Sequence, residues 1–397
     1  MYRRSWLAAA GAAAWSPLRA LAATASSSPR ARAIYENPTL LIGQSAVQSG
    51  PSALLGQEMR LGMKAAFEAA NAGGGIGGRM VKLVSLDDGY EPDQCLSNTE
   101  KLINGSKVFA LASYVGTPTC LKAMPLIVQT GIPFVGCFTG AAALREFAPN
   151  VFHTRASYEQ ETRAIVGQVT LAERPRVALF VQDDAYGRAI EQGTTKALQQ
   201  VGLKPAAVTL VKRNSLDVAE AVNVLQTVRP HGVVMGSVYG ACAKLIEGLG
   251  PAGRGAMYSS VSFIGTSGLT KNLGAQAAGI GISQVMPYPW RPSTPLLARF
   301  QEAMDTIGAE FSYGALEGFV NGLVVLHGLR ECRNDLTWAN FIAALEGARK
   351  LDLQGYVLRF GAGIHAGSDF VDMTVINSAG RVVADAGNGG DELPRLA

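Results

Sequence analysis

Residues 109–144, whose body reads ALASYVGTPTCLKAMPLIVQTGIPFVGCFTGAAAL, limit the choice of fold more than any other stretch. They divide into a buried strand, a small polar turn, a helix with one apolar face, a second buried strand and a second small polar turn. Two strands joined by a helix run parallel, so the turns Gly116-Thr117-Pro118-Thr119 and Phe138-Thr139-Gly140-Ala141 are placed side by side at the carboxyl ends of a sheet. Backbone N–H groups and helix N-termini point outward there and favour anions. Threonine hydroxyls added to that field suit a small carboxylate. The expectation is a protein that holds a small molecule rather than transforming it.

The same alternation runs through the chain. In the first helix Met59, Met63, Ala66, Phe67 and Ala70 share one apolar face. Strands over 40–43, 80–85, 108–112 and 133–135 alternate with helices over 92–102 and 117–129. After Val151-Phe152-His153-Thr154 a second set begins, with helices over 158–171, 186–200, 219–228 and 241–249 and strands over 176–181, 205–210 and 232–236. This predicts an α/β protein with parallel sheets covered on both faces. A chain of 397 residues, 48% hydrophobic, exceeds one compact core, so two lobes are expected. Residues 279–289 read as a long strand entering a stiff crossing, Met286-Pro287-Tyr288-Pro289-Trp290. Three further helices, over 295–307, 313–331 and 337–346, and a strand-like alternation over 351–383 complete the pattern.

Residues 1–22 carry Arg3 and Arg4, a short apolar run and then Ala20-Leu21-Ala22, the order of a cleaved export signal. Arg3-Arg4-Ser5-Trp6-Leu7 leaves both the twin-arginine and the general secretion routes open. Residues 23–38 read as a linker. The leader's three arginines account for most of the net charge of +4, and no basic cluster remains, which argues against nucleic acid. No later run is long enough to span a bilayer. Gly73 to Gly78 match a dinucleotide spacing but follow a helix and precede a strand, so they are read as a tight turn and no cofactor is expected. The five cysteines show no metal-ligand spacing; buried free thiols are expected, with a Cys95–Cys120 disulfide as the alternative. The four histidines form no HExxH and no GxSxG occurs, so neither a metal site, a catalytic residue nor an enzyme is expected.

Ser49-Gly50-Pro51, Asp87-Asp88, Tyr114-Val115-Gly116-Thr117-Pro118-Thr119, Phe138-Thr139-Gly140-Ala141 and Gln182-Asp183-Asp184-Ala185-Tyr186-Gly187 occur in an order that resembles the leucine/isoleucine/valine-binding protein family. These are type I periplasmic substrate-binding proteins of ABC transporters, and the resemblance covers residues 39–385. It implies two Rossmann-like lobes, 39–155 with 287–365 and 156–286 with 366–390, joined by a multi-crossing hinge that closes on a ligand. It further implies a periplasmic monomer, not inserted in the membrane after signal cleavage, whose partners are a small-molecule ligand and an inner-membrane permease with its ATPase. An exported ligand sensor of the same fold is the alternative.

Carried over by position, Thr117 receives the ligand carboxylate, and Phe138, Thr139 and Gly140 supply backbone and hydroxyl contacts to it. Tyr186 and Tyr239 reach across from the second lobe, and Leu55 lines the side-chain pocket. Amino-acid-binding members place an acid near residues 259–263, yet Ser259-Ser260-Val261-Ser262-Phe263 has none. Either Glu317 or Asp184 replaces it, or the ligand is an aromatic or aliphatic carboxylate or an amide. Each residue also has a plainer reading. Thr117 and Thr139 serve as helix caps, Tyr186 packs at the sheet edge, Glu317 faces solvent, and Asp87 and Asp88 cap a strand end.

Overall fold

Buried apolar runs of the first third form β1 (Thr39–Ala46), β2 (Met80–Asp87), β3 (Ala110–Ala112), β4 (Phe134–Val135) and β5 (Val151–Phe152), with helices α1 (Ala53–Ala72), α2 (Pro92–Glu100) and α3 (Thr117–Thr130) between them. All five strands are parallel, in the order β2-β1-β3-β4-β5. This arrangement comes from a computed structural model that describes residues 38–170, 175–253 and 255–384. The expected leader, most of the linker, the close of the helix at Leu171 and the tail beyond Ala384 fall outside those residues.

The second set consists of α4 (Tyr158–Val169), β6 (Val177–Gln182), α5 (Ala185–Gln200), β7 (Ala207–Val211), α6 (Ala219–Val228), β8 (Gly232–Gly236), α7 (Tyr239–Leu249), β9 (Met257–Ser260), α8 (Thr266–Leu273) and β10 (Gly281–Gln284). It repeats the first order, β7-β6-β8-β9-β10. The chain then adds α9 (Pro295–Thr306), α10 (Tyr313–Glu331) and α11 (Trp338–Gly347), of which α9 and α10 pack against α1. A short hairpin, β11 (Leu351–Asp352) and β12 (Val357–Leu358), leads to β13 (Asp372–Ile376) and β14 (Val382–Ala384). These last two strands extend the second sheet antiparallel beside β10.

Two expectations are corrected. The long strand over 279–289 is the four-residue β10, because Pro287 and Pro289 have no N–H to give to a ladder. The helix expected from Ala241 begins at Tyr239. Gly73 to Gly78 do form a helix-to-strand turn, closed by a bridge between Ile76 and Arg79. All five cysteines are buried free thiols.

The chain passes between the sheets three times, after β5, after β10 and between β12 and β13. One phenol joins these crossings. The Tyr356 hydroxyl lies 2.8 Å from the Thr154 carbonyl, 3.1 Å from the Val285 carbonyl and 2.7 Å from Ser368 Oγ. Among the described residues no helix is long and apolar enough to cross a membrane.

Candidate functional site

In each sheet the strand order reverses direction beside the first strand, and ligands of open α/β sheets bind at the carboxyl ends of the strands there. In the first sheet the pairing of β3 and β4 continues past the strands through a parallel bridge between Val115 and Phe138. That register brings the Thr117 and Thr139 hydroxyls together at 2.6 Å, both buried. Gly116 has φ of +104°, and a Cβ there would lie 2.3 Å from the Tyr90 ring, so the turn before Thr117 requires glycine. The capping reading does not hold for Thr117. The N-cap of α3 is Gly116, without a side-chain cap, and Thr117 begins the helix with its hydroxyl turned to Thr139. Thr139 Oγ1 also accepts from the Ala141 N–H at 3.3 Å.

Beside this pair stands Arg155, from the crossing after β5, fully buried. Its Nη2 is 3.3 Å from Glu161 Oε1 and its Nη1 3.4 Å from Glu317 Oε1. It donates to Ser262 Oγ and lies over the Phe138 ring, 4.9 Å from the centroid. Glu161 Oε2 accepts from the Ser262 N–H and from Ser283 Oγ, each at 2.8 Å. Burial opposes the Arg155 charge, but Glu317 and Glu161 outweigh it and hold the guanidinium protonated. Burial also lifts the Glu317 carboxyl to about 7, with Arg155 pulling the other way. The solvent-facing reading of Glu317 is therefore wrong, because α10 is buried on nearly all sides between neighbouring elements.

An aromatic group closes the site. Phe263 lies 5.1 Å from Phe138, 4.8 Å from Tyr186 and 6.2 Å from Tyr90, and Tyr186 lies 5.6 Å from Tyr158. The Tyr186 hydroxyl and Arg155 Nε are buried without hydrogen-bond partners, and the Tyr158 hydroxyl faces Thr139. Tyr186 thus faces Phe263 from the start of α5 rather than only packing at a sheet edge. The Phe138 and Thr139 N–H groups already donate to the Tyr114 and Cys137 carbonyls at 2.7 and 2.8 Å. Gly140 fits against α4, its carbonyl accepting from the Tyr158 N–H at 2.8 Å.

Tyr239 and Leu55 stand apart from the threonine pair. The Tyr239 hydroxyl accepts from the Leu54 N–H at 3.3 Å, a contact between α7 and the start of α1. Leu55 borders a narrow cavity with Glu58, Phe138, Ser262, Ser267, Gln284 and Glu317 around it. Its open volume is about 10 Å³, room for one water molecule. Asp184 caps α5 and pairs with Arg213 at 3.4 Å. Asp88 accepts from Ser45 and Tyr90, and Asp87 from Gln48 and Gly89, so both organise turns as the plainer reading has it. Among the described residues no group of three or more His, Cys, Asp or Glu side chains could hold a metal ion.

Sequence reasoning missed Arg155, Glu161, Tyr158 and Glu58. One signal was available. A glutamate in the apolar body of α10 is too costly to bury without a partner, and Arg155, in the stretch His153-Thr154-Arg155-Ala156-Ser157 after β5, is a cation able to supply it.

Residues 39–379 match the family model described as periplasmic binding protein. The chain belongs to the periplasmic binding protein family. It is a type I member of the leucine/isoleucine/valine-binding branch, as its element order suggested. An amino acid binding protein of Pseudomonas aeruginosa is 22% identical over 59% of this chain and 63% of its own length. The chain thus spans less than two thirds of that curated relative. A possible leucine/isoleucine/valine-binding protein from Rhodopirellula baltica SH 1 superposes with a TM-score of 0.83 at 31% identity, over 88% of this chain and 96% of the other. A substrate-binding periplasmic protein from Ralstonia solanacearum gives 0.83 at 26% identity, over 87% and 100%. The relatives are binding proteins by description.

Proposed function

We propose that this periplasmic binding protein is the exported solute-binding component of an ABC transporter, capturing a small organic solute and handing it to an inner-membrane permease driven by its ATPase. The observation that carries the reading is the Thr117–Thr139 hydroxyl pair, 2.6 Å apart at the carboxyl ends of the first sheet, next to Phe138, whose ring meets Phe263 of the second set, itself against Tyr186. A solute carboxylate would enter between the two hydroxyls and accept from both. The described residues of 39–155 with 287–365 make one lobe, and those of 156–286 with 366–384 the other. They rotate about the three crossings, and the solute selects the closed form through contacts made only there. The leader is removed near Ala22, and the mature monomer works in the periplasm.

The residues assigned to the solute are Thr117, Phe138, Thr139, Gly140 and Tyr186, with Leu55 beside the side chain and Tyr239 latching α7 to α1. No bond is made or broken. A thermal-shift screen of the chain against branched-chain and aromatic amino acids, aromatic carboxylates, short dicarboxylates and amides tests this. A ligand of the folded state raises the melting temperature in proportion to the logarithm of its excess over Kd. A concentration-dependent rise that is smaller in Thr139→Ala at equal ligand concentration supports the reading. A folded chain that no compound stabilises overturns it.

A further inference from the structure

The cavity beyond Phe138 has an apolar wall, with Leu55, Val285, Met286 and Tyr313, into which three polar side chains, Glu58, Gln284 and Glu317, are set. Glu58 lies one turn after Leu55 on the same face of α1, and both reach the cavity. Ser312, the N-cap of α10, and Ser267 of α8 face its carboxylate. Gly314 leaves room for it, since a Cβ there would stand 2.7 Å from Glu58 Oε2. Among the described residues no cation pairs with Glu58 at contact distance; Lys271, whose charge acts on it, is bound to Glu310 at 2.7 Å on the surface. Glu317 lines the same cavity nearer the threonine pair.

Gln284 adds an independent observation. It is buried and lines the cavity, and its Nε2 lies 3.2 Å from both Thr266 Oγ1 and Thr374 Oγ1. Thr374 gives its own hydrogen to the Ile282 carbonyl at 2.9 Å, so toward Gln284 it can only accept. The amide orientation is thereby fixed, and Gln284 Oε1 is left without a partner at the cavity wall. Glu58, with no cation beside it, and an unpartnered amide oxygen in one cavity lining are poorly matched to a purely hydrocarbon chain, which would leave both desolvated; Glu317, the second carboxylate of the lining, is already paired with Arg155.

We propose that the solute bears a protonated nitrogen group, an ammonium or guanidinium, at the end remote from its carboxylate, and that Glu58 and Gln284 Oε1 receive it. This rests on the solute-binding reading above and narrows its substrate class. The charged groups facing Glu58 are Lys271 and Glu310 on the surface, with the Tyr239 hydroxyl nearby. Burial raises the Glu58 carboxyl to about 7, so a bound cation displaces a proton from it near neutral pH.

Matched probes test the assignment by calorimetry on the full chain: lysine against norleucine, and 5-aminopentanoate against pentanoate, in two buffers of different ionisation enthalpy. The expected result is binding at least about tenfold tighter for the member of each pair with the terminal ammonium, accompanied by proton release. In Glu58→Gln, checked for an unchanged circular dichroism spectrum, that preference and the proton release should both disappear, while Ser267→Ala weakens the preference without reversing it. Norleucine or pentanoate binding as tightly as its partner overturns the proposal and leaves the solute-binding reading standing. A folded chain that binds none of the four overturns the proposal, and only the wider thermal-shift screen then bears on the reading beneath it.

Discussion

Arg155, on the crossing after β5, holds Glu317 of α10 across 3.4 Å with both side chains all but sealed from solvent. Glu161 completes the cluster from α4, so one guanidinium serves two carboxylates. Replacing Arg155 by Met should destabilise the fold by about 3–5 kcal/mol, because two buried acids lose their cation. Urea denaturation at pH 7 measures this. A wild-type midpoint for the variant would mean that the carboxylates do not depend on the charge.

Thr139→Ala removes one half of the 2.6 Å hydroxyl pair. On the proposed function, solute affinity should fall by about 1–3 kcal/mol, the range for a hydrogen bond to a charged oxygen. Calorimetry with whichever compound the thermal-shift screen selects gives the number. Unchanged affinity in a folded variant would remove Thr139 from the site.

The acids at the cleft fix a sign for the pH dependence of stability. Burial raises Glu58 and Glu317 from an ordinary 4.5 to about 7. Between those values the native chain keeps protons that the unfolded chain has released, so this contribution is complete below about 4.5 and is lost as pH rises through 7. Asp88, raised by burial to about 6, adds to the same trend. Urea midpoints without solute should therefore decline from pH 4.5 to 7, and Glu58→Gln should decline less. Equal slopes for the two proteins would show that Glu58 does not carry a raised value.

Arg213 follows β7 in the second set and reaches Glu91 of the first at 2.8 Å, while Asn214 donates to the Gly89 carbonyl at 3.0 Å. These contacts span the cleft at its surface. Arg213→Ala should cost about 1 kcal/mol or less in global stability, as partly exposed pairs do. It should nonetheless weaken solute binding and, in small-angle scattering without solute, enlarge the radius of gyration. A variant that matches wild type in both measurements would exclude this pair from closure.

Much of this architecture was legible because parallel sheets write their strands as short apolar runs. The neighbourhood of Thr117 and Thr139 followed from two turns ending adjacent strands, with no need for side-chain detail. The Arg155 cluster was not legible, since Arg155 and Glu317 stand 162 residues apart and only the folded chain shows which buried charge meets which. Glu317 misled because one acid on a helix commonly marks a wet face, whereas α10 has none to speak of. Glu58 was hidden for the opposite reason: a glutamate one turn past Leu55 on an amphipathic helix reads as surface, and only the approach of α8 and α10 encloses it. Residues 279–289 were read as one long strand entering a stiff crossing, although the prolines that mark the crossing already ruled out a ladder beyond Met286.

The second sheet is finished by β13 and β14, which arrive in the chain only after α9, α10 and α11 have returned to the first. In order of synthesis, β10 has an open edge until residue 372 exists, and α1 lacks its cover until residue 313 does. Neither half is a continuous piece of polypeptide, so neither closes its core until the chain has returned to it. A nascent or truncated chain ending before β13 presents an unpaired strand edge, the surface from which misassembly starts. Completion of the native state is consequently a whole-chain event governed by its last dozen described residues, and pairings of such long range make it slow.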